Sequence, residues 1–249
     1  MDVVDLREFY ASALGRASCG MIAATLSKMI QSQPGQTGQQ WLGLGYATPY
    51  LDQLVQDESK PLAFMLARQG VTHWPKTGAV RAALVDECDL PLLESTMDHV
   101  LVVHGLELAD TALETLQEIW RVMAPQGRLY LVVPNRLGLW SATDTSPFGN
   151  GQPFSRSQLA KLLREAQFSV LQWRHALYML PSHRSAMVRS GGWIETLGGY
   201  AATRFSGVII VEAMKQVYAF SSGKRARRIV PRLRPVLLPA PQTARRDRE

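Results

Sequence analysis

The chain has 249 residues, of which 46% are hydrophobic and 19% charged, the proportions of a globular protein and not of a disordered or collagen-like one. No apolar run approaches the about 20 residues that a membrane-spanning helix needs, and two cysteines, Cys19 and Cys88, are too few for a disulfide framework or a thiolate metal cluster. The net charge of +6 sits almost wholly in residues 222–249, where nine Lys/Arg face two acids, so the rest of the chain is close to neutral.

The opening MDVVDLREFY carries acids early and no basic-then-apolar stretch, so no secretory leader is expected and the expected location is cytoplasmic. Residues 4–31 set apolar positions at helical spacing, with Gly15 and Gly20 as expected interruptions. QSQPGQTGQ (31–39) reads as a linker, which makes residues 1–37 a helical segment and linker ahead of a domain at 38–220. WLGLG (41–45) reads as a buried strand entering a glycine turn. Thr48-Pro49 then supplies an N-cap and a proline at the first helical position, and YLDQLVQDE continues the helix.

PLAFMLA (61–67), RAALVDE (81–87) and DHVLVVHGLE (98–107) are three further short apolar runs. The stretch after the last of them places Leu113, Leu116, Ile119, Trp120 and Met123 on one helical face. APQG (124–127) closes that helix and RLYLVVPN (128–135) is a fifth strand. Strands alternating with helices predict an α/β fold: a Rossmann-like, doubly wound, mainly parallel sheet covered on both faces.

Residues 136–154 are rich in Gly, Pro and Ser and hold Trp140, Phe148 and Phe154; a loop of that length in a compact domain is usually functional. SRSQLAKLLREAQF opens with Ser155 and Gln158 at capping-box spacing. SVLQWRHALYML reads as a strand, residues 182–205 as a small insertion, and SGVIIVEAMKQVYAF as a β-branched strand, so a terminal antiparallel hairpin is expected after five strand–helix units. The tail at 221–249 has four prolines and no helical periodicity, and is predicted to be disordered. Its charge would suit nucleic acid or an anionic membrane, yet no aromatic side chain is interleaved to stack on bases.

The segment DECDLPLLESTMDHVLVV, with LETLQEIWRVMAPQGRLYLVVPN after it, resembles the class I S-adenosylmethionine-dependent methyltransferases, in particular the small-molecule type 11 group. Arg121, Val122, Pro125 and Gly127 stand where that family has R-V-L-K-P-G-G, and Gln126 replaces one glycine. The resemblance covers roughly residues 38–220. It implies a cofactor held at three places: a glycine turn after the first strand, a carboxylate at the end of the second for the ribose hydroxyls, and an acid after the third for the adenine amine.

Carried over by residue, the first motif is Gly43-Leu44-Gly45-Tyr46-Ala47-Thr48-Pro49, with Gly43 at the family's acid, Ala47 and Pro49 at its second and third glycines, and Gly45 alone unchanged. No acid falls near Leu66 or Ala67, and Gln69 is the side chain that would take the ribose position; Asp86 fits the adenine position, with Glu87 beside it. His104, after the fourth strand, is the candidate general base, and its neighbour Glu107 reads as structural, as His99 reads as packing. Asn135, Trp140, Phe148 and Tyr178 are candidates to line an acceptor pocket, with His175 a lesser one. His183, Arg184 and Arg189 in the insertion would face solvent or an anionic substrate. No cluster has metal-ligand spacing, so no metal is expected.

Two functions follow. One is an S-adenosylmethionine-dependent methyltransferase acting on a small or lipid-like acceptor. The other is a non-catalytic protein of the same fold acting as a partner subunit or scaffold. A nicotinamide dehydrogenase fits poorly, because Thr48 stands at its third glycine and the acid about 20 residues further on is missing.

Overall fold

The computed structural model describes residues 1–31, 39–55, 59–143, 146–179 and 206–216. The 182–205 insertion, with His183, Arg184 and Arg189, and the basic tail lie outside these residues. The chain opens with two helices, α1 (Val3–Ala11) and α2 (Ala13–Gln31). The break falls at Ser12 and not at the glycines. Asp2 and Asp5 form a capping box at the start of α1. Gly15 stays helical because a Cβ there would lie 1.9 Å from the Phe9 carbonyl oxygen, so glycine lets the two helices meet closely.

Seven strands follow: β1 (Trp41–Gly45), β2 (Leu62–Leu66), β3 (Ala82–Val85), β4 (Met97–Val103), β5 (Met123–Pro134), β6 (Phe168–Ala176) and β7 (Val208–Lys215). They form one sheet in the order β3-β2-β1-β4-β5-β7-β6. The first five pair in parallel, and β7 runs antiparallel between β5 and β6. Three more helices complete the frame: α3 (Thr48–Leu54), α4 (Ala112–Val122) and α5 (Arg156–Glu165). The expected terminal hairpin and the Ser155–Gln158 capping box are both present.

Period-two alternation sorts the strands onto two cores. Trp41, Met65, Leu101, Val103, Tyr130 and Ile210 face α1, α2 and α3, while Leu42, Leu44, Val100, Val102 and Leu131 face α4 and α5. The N-terminal helices therefore share one core with the strands. Three local expectations change. Thr48 is the first residue of α3, and its cap is Ala47 with no side-chain bond. No helix lies between β2 and β3, where a short turn follows Leu66 instead. Residues 124–127 belong to β5 itself, which begins as soon as α4 ends.

The R-V-x-x-P-x-G pattern has a structural explanation here. The Arg121 guanidinium donates to the carbonyls of Leu90 and Leu92, both at 3.0 Å, and to Glu118, tying the segment after β3 to α4. Gln126 takes the family's glycine position with φ at +63°, a region costing a side chain about 1–2 kcal/mol. Gln126→Gly is therefore expected to stabilise the protein by about 0.5–1 kcal/mol, since glycine's own entropy offsets part of the relief, as a rise in the urea midpoint.

His99 sits in the first core, stacked on Trp41 at 4.2 Å. Burial pushes its imidazole down to about 4, with Arg128 adding to this and Asp98 opposing it. In the unfolded chain the group binds its proton near pH 6.5. Below that value the unfolded state gains the proton first, so stability is full above about pH 6.5 and is lost as pH falls towards 4, by at most about 3 kcal/mol. Urea midpoints measured across this window should fall in the wild type, and the fall should be smaller in His99→Gln.

Candidate functional site

In this fold the parallel strands end together along one edge, and the loops there build the site. The turn after β1 is set by Gly45, whose φ is +77°. A Cβ there would lie 2.4 Å from the Val103 carbonyl oxygen and 2.8 Å from that of His104. The glycine thus lets the β1 turn press onto the end of β4, and the Tyr46 amide donates to Val103 at 2.8 Å. Gly43 acts differently, by seating α3 on β1, since a Cβ there would meet Ala47 and Leu51 at 2.8 Å.

At the end of β4, His104 takes φ +51°, an uncommon conformation for a side-chain-bearing residue and one that concentrates at functional sites. Its Nδ1 lies 3.2 Å from Glu107 Oε1, and both side chains are buried. Its Nε2 lies 2.7 Å from the Tyr10 hydroxyl, which is 2.8 Å from that of Tyr50. Burial pushes both phenols well above their ordinary range, so each keeps its proton. One set of donors satisfies the chain: Tyr50 O–H to Tyr10, Tyr10 O–H to Nε2, and Nδ1–H to the Glu107 carboxyl. Glu107 Oε2 is buried with no partner among the described residues. Phe148 packs on the imidazole with ring centroids 4.8 Å apart, and Tyr10 stacks on Tyr46 at 5.5 Å.

The ends of β2 and β3 carry the other expected groups. Gln69 is buried; its Nε2 donates to the His104 carbonyl, and its Oε1 accepts from the Leu66 amide at 3.3 Å. Because β1 lies between β2 and β4, this side chain crosses the end of β1. Arg68 pairs with the buried Glu87 and donates to the Leu108 carbonyl at 2.6 Å and to Asp110 at 2.7 Å. It therefore bridges the ends of β2, β3 and β4. Asp86 is exposed and accepts from the Cys88 amide at 2.9 Å.

The acceptor candidates divide. Phe148 reaches His104. Trp140 lies one layer behind it, fully buried with its indole N–H on the Met179 carbonyl at 2.7 Å. The Asn135 amide donates to the Ser206 carbonyl at 2.9 Å and accepts from the Leu137 amide at 3.2 Å, so it ties loops together. Tyr178 is half-buried just past β6, and His175 bonds Ser206 Oγ at 2.9 Å. Sequence reasoning assigns no site role to Tyr10, Tyr50 or Arg68. Only the three-residue spacing of His104 and Glu107 offers a local signal.

These residues do not fit an adenosyl cofactor as arranged. The Gln69 amide bonds the His104 carbonyl, the Arg68 guanidinium holds Glu87, and the Tyr10 hydroxyl takes His104 Nε2, so the groups expected to serve the cofactor and the expected base are engaged internally. A separate cavity of about 290 Å³ lies between α3 and the loop before β3, lined by Leu51, Asp52, Trp74, Lys76 and Arg81 among others, and holds none of the expected site residues. Among the described residues no group of His, Cys, Asp and Glu could hold a metal ion, and no helix is long and apolar enough to cross a membrane.

Residues 42–131 match the family model described as a methyltransferase domain. No curated protein matches the chain. Among solved structures, the chain is similar to one from a complex between the Haloferax volcanii Trm112 methyltransferase activator and a methyltransferase, at 17% identity over 84% of this chain and 98% of that one, with a TM-score of 0.59. It is also similar to an S-adenosylmethionine-dependent methyltransferase from Thermotoga maritima, at 15% identity over 80% and 91% of the two chains, TM-score 0.51. A third is a geranyl diphosphate methyltransferase in complex with GPP and sinefungin, at 10% identity over 77% of each chain, TM-score 0.53. At these identities the structures show the class I methyltransferase fold.

Proposed function

We propose that this chain, which carries a methyltransferase domain on the class I fold, is an S-adenosylmethionine-dependent methyltransferase for a small or lipid-like acceptor. The observation that carries the reading is the buried His104–Glu107 pair on a left-handed backbone at the end of β4. Nε2 can accept a proton there once Tyr10 withdraws, and Glu107 steadies the Nδ1–H and the charge that forms. Phe148 packs on the imidazole and holds the ring in place. The cofactor is assigned to the turn at Gly43, Gly45, Tyr46 and Ala47, with Gln69, Asp86 and Glu87 at the neighbouring strand ends. An acceptor would meet Phe148 first, with Trp140, Asn135 and Tyr178 shaping the wall behind it.

One observation favours a second reading. Gln69, Arg68 and Tyr10 close the crevice with bonds of their own, as expected of a non-catalytic partner subunit of the same fold. Calorimetric titration of the full chain with S-adenosylmethionine and its demethylated product separates the two. Saturable binding of either ligand supports the enzyme. No heat with both up to about 1 mM, in this chain and in an Arg68→Ala/Gln69→Ala variant with the crevice unsealed, moves the conclusion to the partner subunit; at that limit the binding free energy is weaker than about −4 kcal/mol.

A further inference from the structure

We propose that the cavity between α3 and the loop before β3 is a binding site of its own, for a compact organic anion with an apolar body and one carboxylate or phosphate. It is separate from the strand ends that carry His104, so its failure would leave the methyltransferase reading untouched.

The topology places the cavity and leaves it open. β1, β2, β3 and β4 run parallel, so each connection returns the chain to the edge where the strands begin, opposite the edge of His104. Asp52, in the last turn of α3, and Arg81, one residue before β3, lie on those returns. A parallel crossover is usually made by a helix, and between β2 and β3 there is none. Right-handed crossovers that step the same way along a sheet share a face, so such a helix would lie beside α3. That face is uncovered: Leu84, paired with Met65 on it, is 47% exposed. The cavity of about 290 Å³ is on this side, bounded by Leu51 and Trp74 of the first core.

Its lining sets the ligand. Leu51, Trp74 and Pro75 are apolar walls, while Lys76, Thr77 and Arg81 bring donors. Asp52, the acid among the described lining residues, accepts from the Trp74 indole N–H at 2.8 Å. Its carboxylate is thus turned to the indole, and Lys76 and Arg81 outweigh it by one positive charge. Arg81 is held in place before any ligand arrives. Its amide donates to the Trp74 carbonyl at 2.8 Å, its carbonyl accepts from the Ala63 amide at 2.9 Å, and its guanidinium lies over the indole, 5.4 Å from the ring centroid. With five N–H donors in a flat fork, it can keep its present contacts and still take an anion's oxygen. Lys76 and Thr77 are exposed and add an ammonium and a hydroxyl at the rim. At about 30 Å³ for each water-sized atom, the space suits about ten non-hydrogen atoms, the size of benzoate or phenyl phosphate.

Those two anions are the probes, titrated calorimetrically into the full chain, with benzyl alcohol as the neutral control. At least one anion should bind with a Kd of about 1 mM or tighter, and the two arms show which head group the site takes. Benzyl alcohol should bind at least about tenfold more weakly, and Lys76→Glu and Arg81→Ala should each weaken the anion by at least about tenfold. Hydrogen exchange in the wild type should slow in residues 51–55 and 74–81 when the anion is added. A Kd weaker than about 1 mM for both anions overturns the site. So does binding that survives either substitution, binding of the alcohol as tight as that of the anions, or unchanged exchange in those segments. Should Arg81→Ala not fold, Lys76→Glu, at an exposed position, and the exchange readout decide the outcome.

Discussion

Gly45→Ala is expected to destabilise the protein by about 3 kcal/mol. Two costs add. The left-handed backbone at φ +77° costs an alanine about 1–2 kcal/mol, and overpacking costs typically a further 1–3 kcal/mol. The second is unavoidable because the atoms met, at 2.4 to 2.9 Å, are main-chain atoms of Val103 and His104, with no flexible side chain to move. Gly78 is the control: its φ is +90°, yet a Cβ there meets nothing within 4 Å. Gly78→Ala should show the backbone cost alone. Urea unfolding of both variants gives the difference, and equal losses would mean that the β1 turn does not press on the end of β4.

That turn shows what a sequence carries and what it hides. Each of the strands read from short apolar runs is present, and in β1, β4 and β7 burial on both faces leaves a continuous apolar signature. Ser155 and Gln158 are legible because a capping box is local. Propensity alone places the break between the first two helices at glycine. Tertiary contact overrides it, since Gly15 is needed inside α2 for close packing against α1. The helix expected between the second and third strands is absent, and this is why Arg68 and Gln69, in the short turn that replaces it, lie at the strand ends.

The site is legible only in outline. Family spacing locates Gly45, Gln69, Asp86, Glu87 and His104 at or just past the ends of the first four strands, since strand order and length fix those positions. It does not show which way the side chains turn. Gln69 and Glu87 are engaged by internal partners, while Asp86 caps its own turn. Tyr10 is the largest omission. It meets His104 across 94 residues of chain, and no periodicity in the N-terminal segment marks one apolar position as facing a histidine rather than an aliphatic core.

The buried pair should be energetically coupled and asymmetric. His104→Ala removes the partner of Glu107 Oε1 while Oε2 already lacks one, leaving a buried carboxyl with neither oxygen bonded. Leaving a buried group unsatisfied costs about 1–3 kcal/mol, and more where the group is a carboxyl that can carry charge. Glu107→Ala leaves only one imidazole N–H unpaired, a loss at the lower end of that range. His104 therefore carries the larger effect, although its φ of +51° makes it the more strained residue. The double variant should lose less than the sum of the two, by about 1–3 kcal/mol, as expected for side chains in contact. His104→Asn gives a further control, because asparagine tolerates the left-handed backbone and keeps an amide to offer Glu107; it should recover part of the loss. Additive losses in urea unfolding, or a larger loss for Glu107→Ala, would show that the pair does not bear on the carboxyl's burial and would remove the observation on which the catalytic reading stands.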